Sequence, residues 1–314
     1  MSASTSASDP ADMGRIIVTG GSGLIGRRLV TELAGRGHEV VVLSRTPARV
    51  TGLPAGARAV GWDGRTAAGW GDLADGALAI VNLAGETIAK RWTADHKTRI
   101  LESRLNAGAA VVEAIRGTAV KPRVLVQAAA VGFYGACGGE VVTEDSPSKP
   151  GQFLSDVVVA WEASTSAVEA MGVRRAVVRT GLVLAKEGGA LPPMALPFRL
   201  FVGGPTGSGR QYYPWIHIDD VVGAIIHLIG DPQARGAYNL TAPTPVTNRA
   251  FAAALGRALH RPALIPTPGF ALRLVLGEMA TLILDGQQAV PARLLAQGYR
   301  HRHANLDDAL KDLA

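Results

Sequence analysis

The sequence predicts an α/β protein built on a doubly wound parallel sheet, with a small, mainly helical cap toward the C-terminus. Three observations carry this. Short β-branched or apolar runs recur along the first two-thirds of the chain, each apolar enough for burial on both faces. Between them lie segments whose apolar residues repeat at helical spacing. A glycine-rich turn joins the first run to the first helical segment.

Arg15–Thr19 ("RIIVT") is the first strand candidate. Leu24, Ile25, Leu29, Val30 and Leu33 then recur at helical spacing, and Gly35 and Gly37 close that helix. "HEVVVLS" (38–44) supplies the second strand, followed by "ARAVGW" (57–62), "ALAIVNLA" (77–84), "RVLVQAAA" (123–130) and "RRAVVRT" (174–180). Helical patterns cover 93–116 and 153–171. After about residue 185 the composition changes, and "GGALPPMALPFRLFVGGPTGSGRQYYP" reads as connection or lid. "WIHIDDVVGAIIHLI" returns to regular structure, with Asp219 or Asp220 as the cap of a helix starting near Val221. "GAYNLT" is a further strand, and from Thr247 onward helices dominate, including "NRAFAAALGRAL" and "PARLLAQ". The expected division is a polar tail over 1–13, a nucleotide-binding domain over 14–185 to which 215–241 returns, and a cap built from 186–214 and 242–314.

Composition narrows the function classes. The 314 residues are 47% hydrophobic and 18% charged, as in ordinary globular proteins. Net charge is +6, yet the arginines are dispersed and no basic run is interleaved with aromatics. That argues against nucleic acid and for phosphate on a small molecule. "YRHRH" (299–303) has no acid or cysteine beside it and reads as solvated surface, so no metal is expected. The longest apolar run, "LIPTPGFALRLVLGEMATLIL", is broken by Pro, Gly, Arg273 and Glu278 and is no membrane span. The first dozen residues lack the apolar core of a secretory signal, and the single cysteine, Cys137, fits a reducing cytoplasm.

"VTGGSGLIG" places glycines at 20, 23 and 26 between a strand and a helix. Gly20 permits the tight turn, Gly23 the close approach of backbone to a pyrophosphate, and Gly26 helix–strand packing. Gly20, Gly21, Ser22, Gly23, Leu24, Ile25, Gly26 and Arg27 therefore form a candidate dinucleotide-binding turn, with the helix N-terminus facing the negative charge. This is the Rossmann-type arrangement. At the end of the second strand an NAD site usually carries Asp or Glu; here stand Ser44 and Arg45. No carboxylate repels a 2′-phosphate there, and a guanidinium can clamp one by two parallel hydrogen bonds. NADP(H) is the expected cofactor.

"TGGSGLIG", "NLAG" (82–85), "AAVGFYG" (129–135), "WIHIDDVV" (215–222) and "YNLT" (238–241) resemble, in order, the extended NAD-dependent epimerase/dehydratase group of the short-chain dehydrogenase/reductase superfamily. "RWTADHKTRILESR" (91–104) and "VPARLLAQGYRHR" (290–302) look more narrowly like atypical epimerase-family proteins with a C-terminal domain of uncertain role. The resemblance spans nearly the whole chain from Met13. It implies that Asn82, Leu83, Ala84 and Gly85 line the cofactor. It also implies that Asp63, after the third strand, contacts the adenine; read from its own residues, "WDGR" is equally an Asp-Gly turn. A homodimer through helix pairs is common among such relatives.

The resemblance further implies a Ser, Tyr and Lys set in which the Tyr relays a proton as hydride moves. This chain departs from it: the three places fall at Ala129, Leu154 and Val158. Tyr134 is the nearest phenol and the candidate proton donor, with packing as its alternative role. Glu86, after "NLAG", and Arg210, Tyr212 and Tyr213, in the lid-like stretch, are candidates to meet a carbonyl, hydroxyl or sugar-like substrate. Two functions are consistent with these residues: an NADP(H)-dependent oxidoreductase or epimerase with an unconventional proton donor, or a non-catalytic NADPH-binding redox sensor or scaffold.

Overall fold

The computed structural model describes residues 13–314; the expected N-terminal tail lies, apart from Met13, outside the described residues. Seven strands form one parallel sheet: β1 (Arg15–Thr19), β2 (Glu39–Ser44), β3 (Ala57–Gly61), β4 (Ala79–Asn82), β5 (Val124–Ala130), β6 (Arg174–Thr180) and β7 (Gly236–Leu240). Their order across the sheet is β3–β2–β1–β4–β5–β6–β7, with Ile17 registered against Val41 on one side and Ile80 on the other. Chain order reverses between β1 and β4. The crevice beyond the strand ends at that reversal is where such sheets bind ligands.

Both faces of the sheet are covered. On one, Ile16 and Val18 pack with Leu29 and Leu33 of α1 (Leu24–Gly35) and with Val221 and Ile225 of the helix Ile218–Gly230. On the other, Ile17 and Ile80 pack with Val111 and Ile115 of α2 (Ala94–Gly117) and with Trp70. Thr93 caps α2 by accepting from the His96 N–H at 3.2 Å. Gly108 of α2 lies so close to Ser164 that a Cβ there would sit 2.1 Å from the serine hydroxyl oxygen.

Three local expectations are corrected. The helical stretch 153–171 is two helices, α3 (Phe153–Ala163) and a single turn, Ala167–Ala170. Ser164 and Ser166 donate their hydroxyls to the carbonyls of Trp161 (2.7 Å) and Ala163 (2.9 Å), as serines do where helices break. The stretch expected to be a connection contains a helix, Leu191–Arg199, opened by prolines that fit its first turn. His217, and neither aspartate, caps the helix that starts at Ile218: its Nδ1 accepts from the Asp219 N–H at 3.1 Å. Asp220 is turned instead to the C-terminal segment, where it accepts from the backbone N–H groups of Arg302 (2.7 Å) and His303 (2.9 Å).

The C-terminal region is mainly helical, as expected, and has its own core. Phe251 and Leu255 from Asn248–Ala258 pack against Leu306 and Leu310 from Leu306–Leu313, with Tyr213 and Trp215 beside them. Among the described residues no helix is long and apolar enough to cross a membrane.

Candidate dinucleotide site

The turn between β1 and α1 is shaped by backbone contact. Gly20 has φ +66°, and a Cβ on it would lie 2.9 Å from the Leu83 carbonyl group. A Cβ on Gly26 would meet the Gly20 carbonyl oxygen at 2.3 Å, and one on Gly21 would meet Val42 at 2.8 Å. Gly23 differs. Among the described residues, only the Gly20 oxygen lies within 4 Å of its Cβ position outside its immediate chain neighbours, at 3.2 Å. Gly23 is the N-cap of α1, contributes no side-chain acceptor, and is followed by no acid in the first turn. The first-turn N–H groups therefore have no side-chain partner, which is the chemistry of an anion seat.

The neighbours complete the mouth of this turn. Ser22 is exposed, Ile25 packs on the sheet core, and Leu24 is half-buried beneath the Gly188–Gly189 segment that enters the cap region. Arg27 is exposed and its Nε donates to the Ser22 carbonyl at 2.8 Å, which fixes a cation at the rim. At the end of β2, Ser44 Oγ accepts from the Thr46 N–H at 3.2 Å. Arg45 is exposed, and among the described residues its guanidinium has no hydrogen bond or ion pair. Its stem runs beside Gly64. Asp63 shapes that loop: its oxygens accept from the N–H groups of Arg65 (2.7 Å) and Thr66 (2.8 Å) and from the Thr66 hydroxyl. These bonds, the Thr66 N–H first, hold its carboxyl below the usual range.

A buried polar chain ties the strand ends together. Thr19 Oγ1 donates to Asn82 Oδ1 at 2.6 Å and accepts from the Ala84 N–H at 3.1 Å. Asn82 Nδ2 donates to Gln127 Oε1 at 2.9 Å, and Gln127 Nε2 donates to the Ala128 carbonyl at 2.8 Å. Each member has its partner, so the chain fixes the tips of β1, β4 and β5 at no desolvation penalty. It thereby sets the path of Leu83, Ala84 and Gly85 along the crevice. Glu86 follows, half-buried, with its N–H donating to Ser103 Oγ at 2.9 Å.

Residues 16–241 match the NAD dependent epimerase/dehydratase family, and residues 267–313 match a domain of unknown function, DUF1731. The chain belongs to this epimerase family. It is similar to an epimerase family protein of Staphylococcus aureus (36% identity over 302 residues, 96% of this chain and 99% of the relative). The likeness to one of Staphylococcus haemolyticus is 38% over 301 residues, with the same coverage of 96% and 99%. Among solved structures it resembles the human epimerase family protein SDR39U1, isoform 2, solved with NADPH, at TM-score 0.85 and 38% identity, covering 96% of this chain and 99% of that one. A nucleoside-diphosphate sugar epimerase from Corynebacterium glutamicum matches at TM-score 0.76 and 32% identity, over 96% of this chain and 58% of its own.

The positions at which the resemblance implied Ser, Tyr and Lys are apolar here and lie close together. Ala129 and Val158 share a buried cluster with Val177, and a Cβ on Gly132 would lie 3.9 Å from Val158 and 4.0 Å from Leu154. The three positions thus lie on β5 and α3 with no ionisable group among them.

Tyr134 does not replace them, and the expectation of a phenolic proton donor is corrected. The residue has no exposed surface; its hydroxyl donates to Asn239 Oδ1 at 2.7 Å and accepts from Arg179 at 3.0 Å. Burial raises its pKa although Arg179 opposes the shift. Arg179 is in turn held bidentately by Glu162 (2.8 and 3.0 Å) and stacks 3.5 Å from the Phe133 ring centroid. This is a packing network. Tyr213 is likewise removed from the substrate candidates: it is buried, with its hydroxyl donating to the Ile283 carbonyl at 3.3 Å and its ring edge-on to Phe251. Arg210 is exposed, and Tyr212 is half-buried in a short antiparallel pair with Thr247.

Two features escaped sequence reasoning. His217, Asp219 and His303 bring potential metal ligands within 4.8 Å of one another, so an acid does reach the "YRHRH" segment from afar. His217 Nδ1 accepts from the Asp219 N–H and Asp219 pairs with Arg28 at 3.0 Å, whereas the buried His217 Nε2, 3.3 Å from Asp312, makes no hydrogen bond among the described residues. The other is Arg104, whose guanidinium lies against Gly85 and donates to the Glu86 carbonyl at 3.1 Å. An arginine in the middle of a long helix carries no signal of this in sequence.

Proposed function

We propose that this epimerase-family protein binds NADP(H) in the crevice between β1 and β4 and uses it as an oxidoreductase or epimerase acting on a small carbonyl, hydroxyl or sugar-like compound. The observation that carries the reading is the pairing of two anion-seeking features. Among the described residues, the first turn of α1 has no side-chain acceptor of its own, and Arg45 at the end of β2 has no hydrogen-bond or ion-pair partner. The first suits a pyrophosphate and the second a 2′-phosphate. Asp63 is committed to its own loop and leaves Arg45 unopposed. The NADPH in the similar human structure supports the same preference.

Bound NADP(H) would supply hydride chemistry at its nicotinamide. The chain's own contribution is binding, orientation and exclusion of water: Leu83–Gly85 give a fixed backbone edge, and Ala129, Leu154 and Val158 give a dry wall. That wall also favours a second reading, in which the protein binds the cofactor without turnover and reports redox state to a partner. Loss of a positioned acid–base group typically costs roughly 10²–10⁴ in rate, so slow turnover is the enzymatic expectation. The test is oxidation of NADPH by a panel of aldehydes, ketones and nucleotide sugars. Turnover supports the enzyme; tight binding with none across the panel supports the sensor.

A further inference from the structure

Arg104 is half-buried, and among the described residues its guanidinium makes no hydrogen bond or ion pair with a carboxylate. It projects from α2 one turn before Gly108, where α2 and α3 cross closely, and its Cζ lies 4.7 Å from the Trp161 ring centroid. Nη1 donates to the carbonyls of Ile100 (2.9 Å) and Glu86 (3.1 Å). Nε and Nη2 donate to no protein acceptor among the described residues, and neither is sealed from solvent. The two arginines that are fully buried among the described residues are compensated: Arg179 holds Glu162 through two hydrogen bonds, and Arg174 donates to three backbone carbonyls. Burial pushes the Arg104 guanidinium down to about 10, more than the field of Glu86 restores. A cation held partly out of water and offset only by the field of Glu86 is costly, and a ligand that brings a direct counter-charge is correspondingly favoured.

Its place is what matters. Gly85 and Glu86 lie three and four residues beyond the end of β4, at the ligand crevice. Trp161 stands three residues after Val158, the lysine place, so the ring on which Arg104 stacks belongs to a residue about one helical turn, ~5 Å along α3, from that place. We propose that Arg104 receives the carboxylate of the substrate through its open Nε and Nη2 donors. The substrate class is thus a small oxo- or hydroxy-acid, an inference that rests on the NADP(H) reading above.

The test loads the wild-type protein with NADPH and follows nicotinamide fluorescence as oxalate, pyruvate, 2-oxoglutarate, inorganic phosphate and the neutral pyruvamide are added. The expected result is a saturable response to at least one carboxylate, absent with pyruvamide. That response weakens about tenfold or more in Arg104→Gln and less in Arg104→Lys, with NADPH affinity and Tm held within twofold and ~2 °C of wild type. Equal carboxylate binding by Arg104→Gln overturns the proposal, as does silence of the wild type to every carboxylate. A parallel loss of NADPH affinity or Tm in both variants also overturns it, by making Arg104 a scaffold or cofactor residue. A preference for phosphate over every carboxylate replaces the substrate class. If the wild type takes up no NADPH before any probe is added, the cofactor reading itself has failed, and this one falls with it.

Discussion

Gly26 and Gly20 touch backbone to backbone: a Cβ on the first would lie 2.3 Å from the carbonyl oxygen of the second. A Cβ on Gly23, three residues away, would meet the same oxygen less closely, at 3.2 Å. The two glycines should therefore fail differently when replaced. Gly26→Ala forces the helix off the turn and should cost ~1–3 kcal/mol of stability, seen as a lower Tm without ligand. Gly23→Ala should lower Tm less than Gly26→Ala yet weaken NADPH binding about tenfold or more, because its methyl group occupies the space a pyrophosphate needs.

Arg45→Ala should separate the two dinucleotides. Hydrogen bonds to a charged group contribute ~1.5–3 kcal/mol, so NADPH affinity should fall roughly 10–100-fold while NADH affinity stays within about twofold. Competitive titration of the variant with both cofactors measures the ratio directly.

How much of this was legible in the sequence depends on the range of the interaction. The β1 turn was readable because its glycines, strand and helix are contiguous, and the apolar runs that announced seven parallel strands are local features. Residues whose roles depend on distant partners were not. Tyr134 looked like a free phenol until β6 and β7 brought Arg179 and Asn239 to its hydroxyl. Asp220 looked like a helix cap until the C-terminal segment folded back on it. Arg104 gave no signal because its setting is assembled from β4, α2 and α3.

Asn82→Ala should break the chain that links three strand ends. It leaves Thr19 Oγ1 and Gln127 Oε1 without their partners in a buried setting, at a cost of ~1–3 kcal/mol each at most. Denaturant unfolding should show a lower midpoint, and NADPH affinity should fall with it as Leu83–Gly85 lose their anchor.

Tyr134→Phe tests the corrected role of that residue. Removing the hydroxyl deprives both Arg179 and Asn239 of a partner, and unfolding free energy should fall by ~1–3 kcal/mol. NADPH binding and any turnover should remain within about twofold. Selective loss of turnover at unchanged stability would restore the phenol as a proton donor.

His217 makes stability depend on pH. Burial first, and then neighbouring His303, lower its pKa, against the opposing fields of Asp219, Asp312 and Asp220. The unfolded chain therefore takes up the proton more readily, and stability is lost as pH falls below about 6.5 toward the folded value. His301, lowered by burial as well, adds in the same direction. Tm measured from pH 7.5 to 5 should drop on the acid side, and His217→Gln should flatten the drop.

The central claim is that the amide-lined turn and Arg45 together hold a 2′-phosphorylated dinucleotide. Calorimetric titration of the folded protein with NADPH, NADP⁺ and NADH tests it most directly. The account predicts saturable one-site binding of the phosphorylated pair, about tenfold or more tighter than NADH. No heat with either NADPH or NADP⁺ at millimolar ligand, or equal binding of NADH, would contradict it.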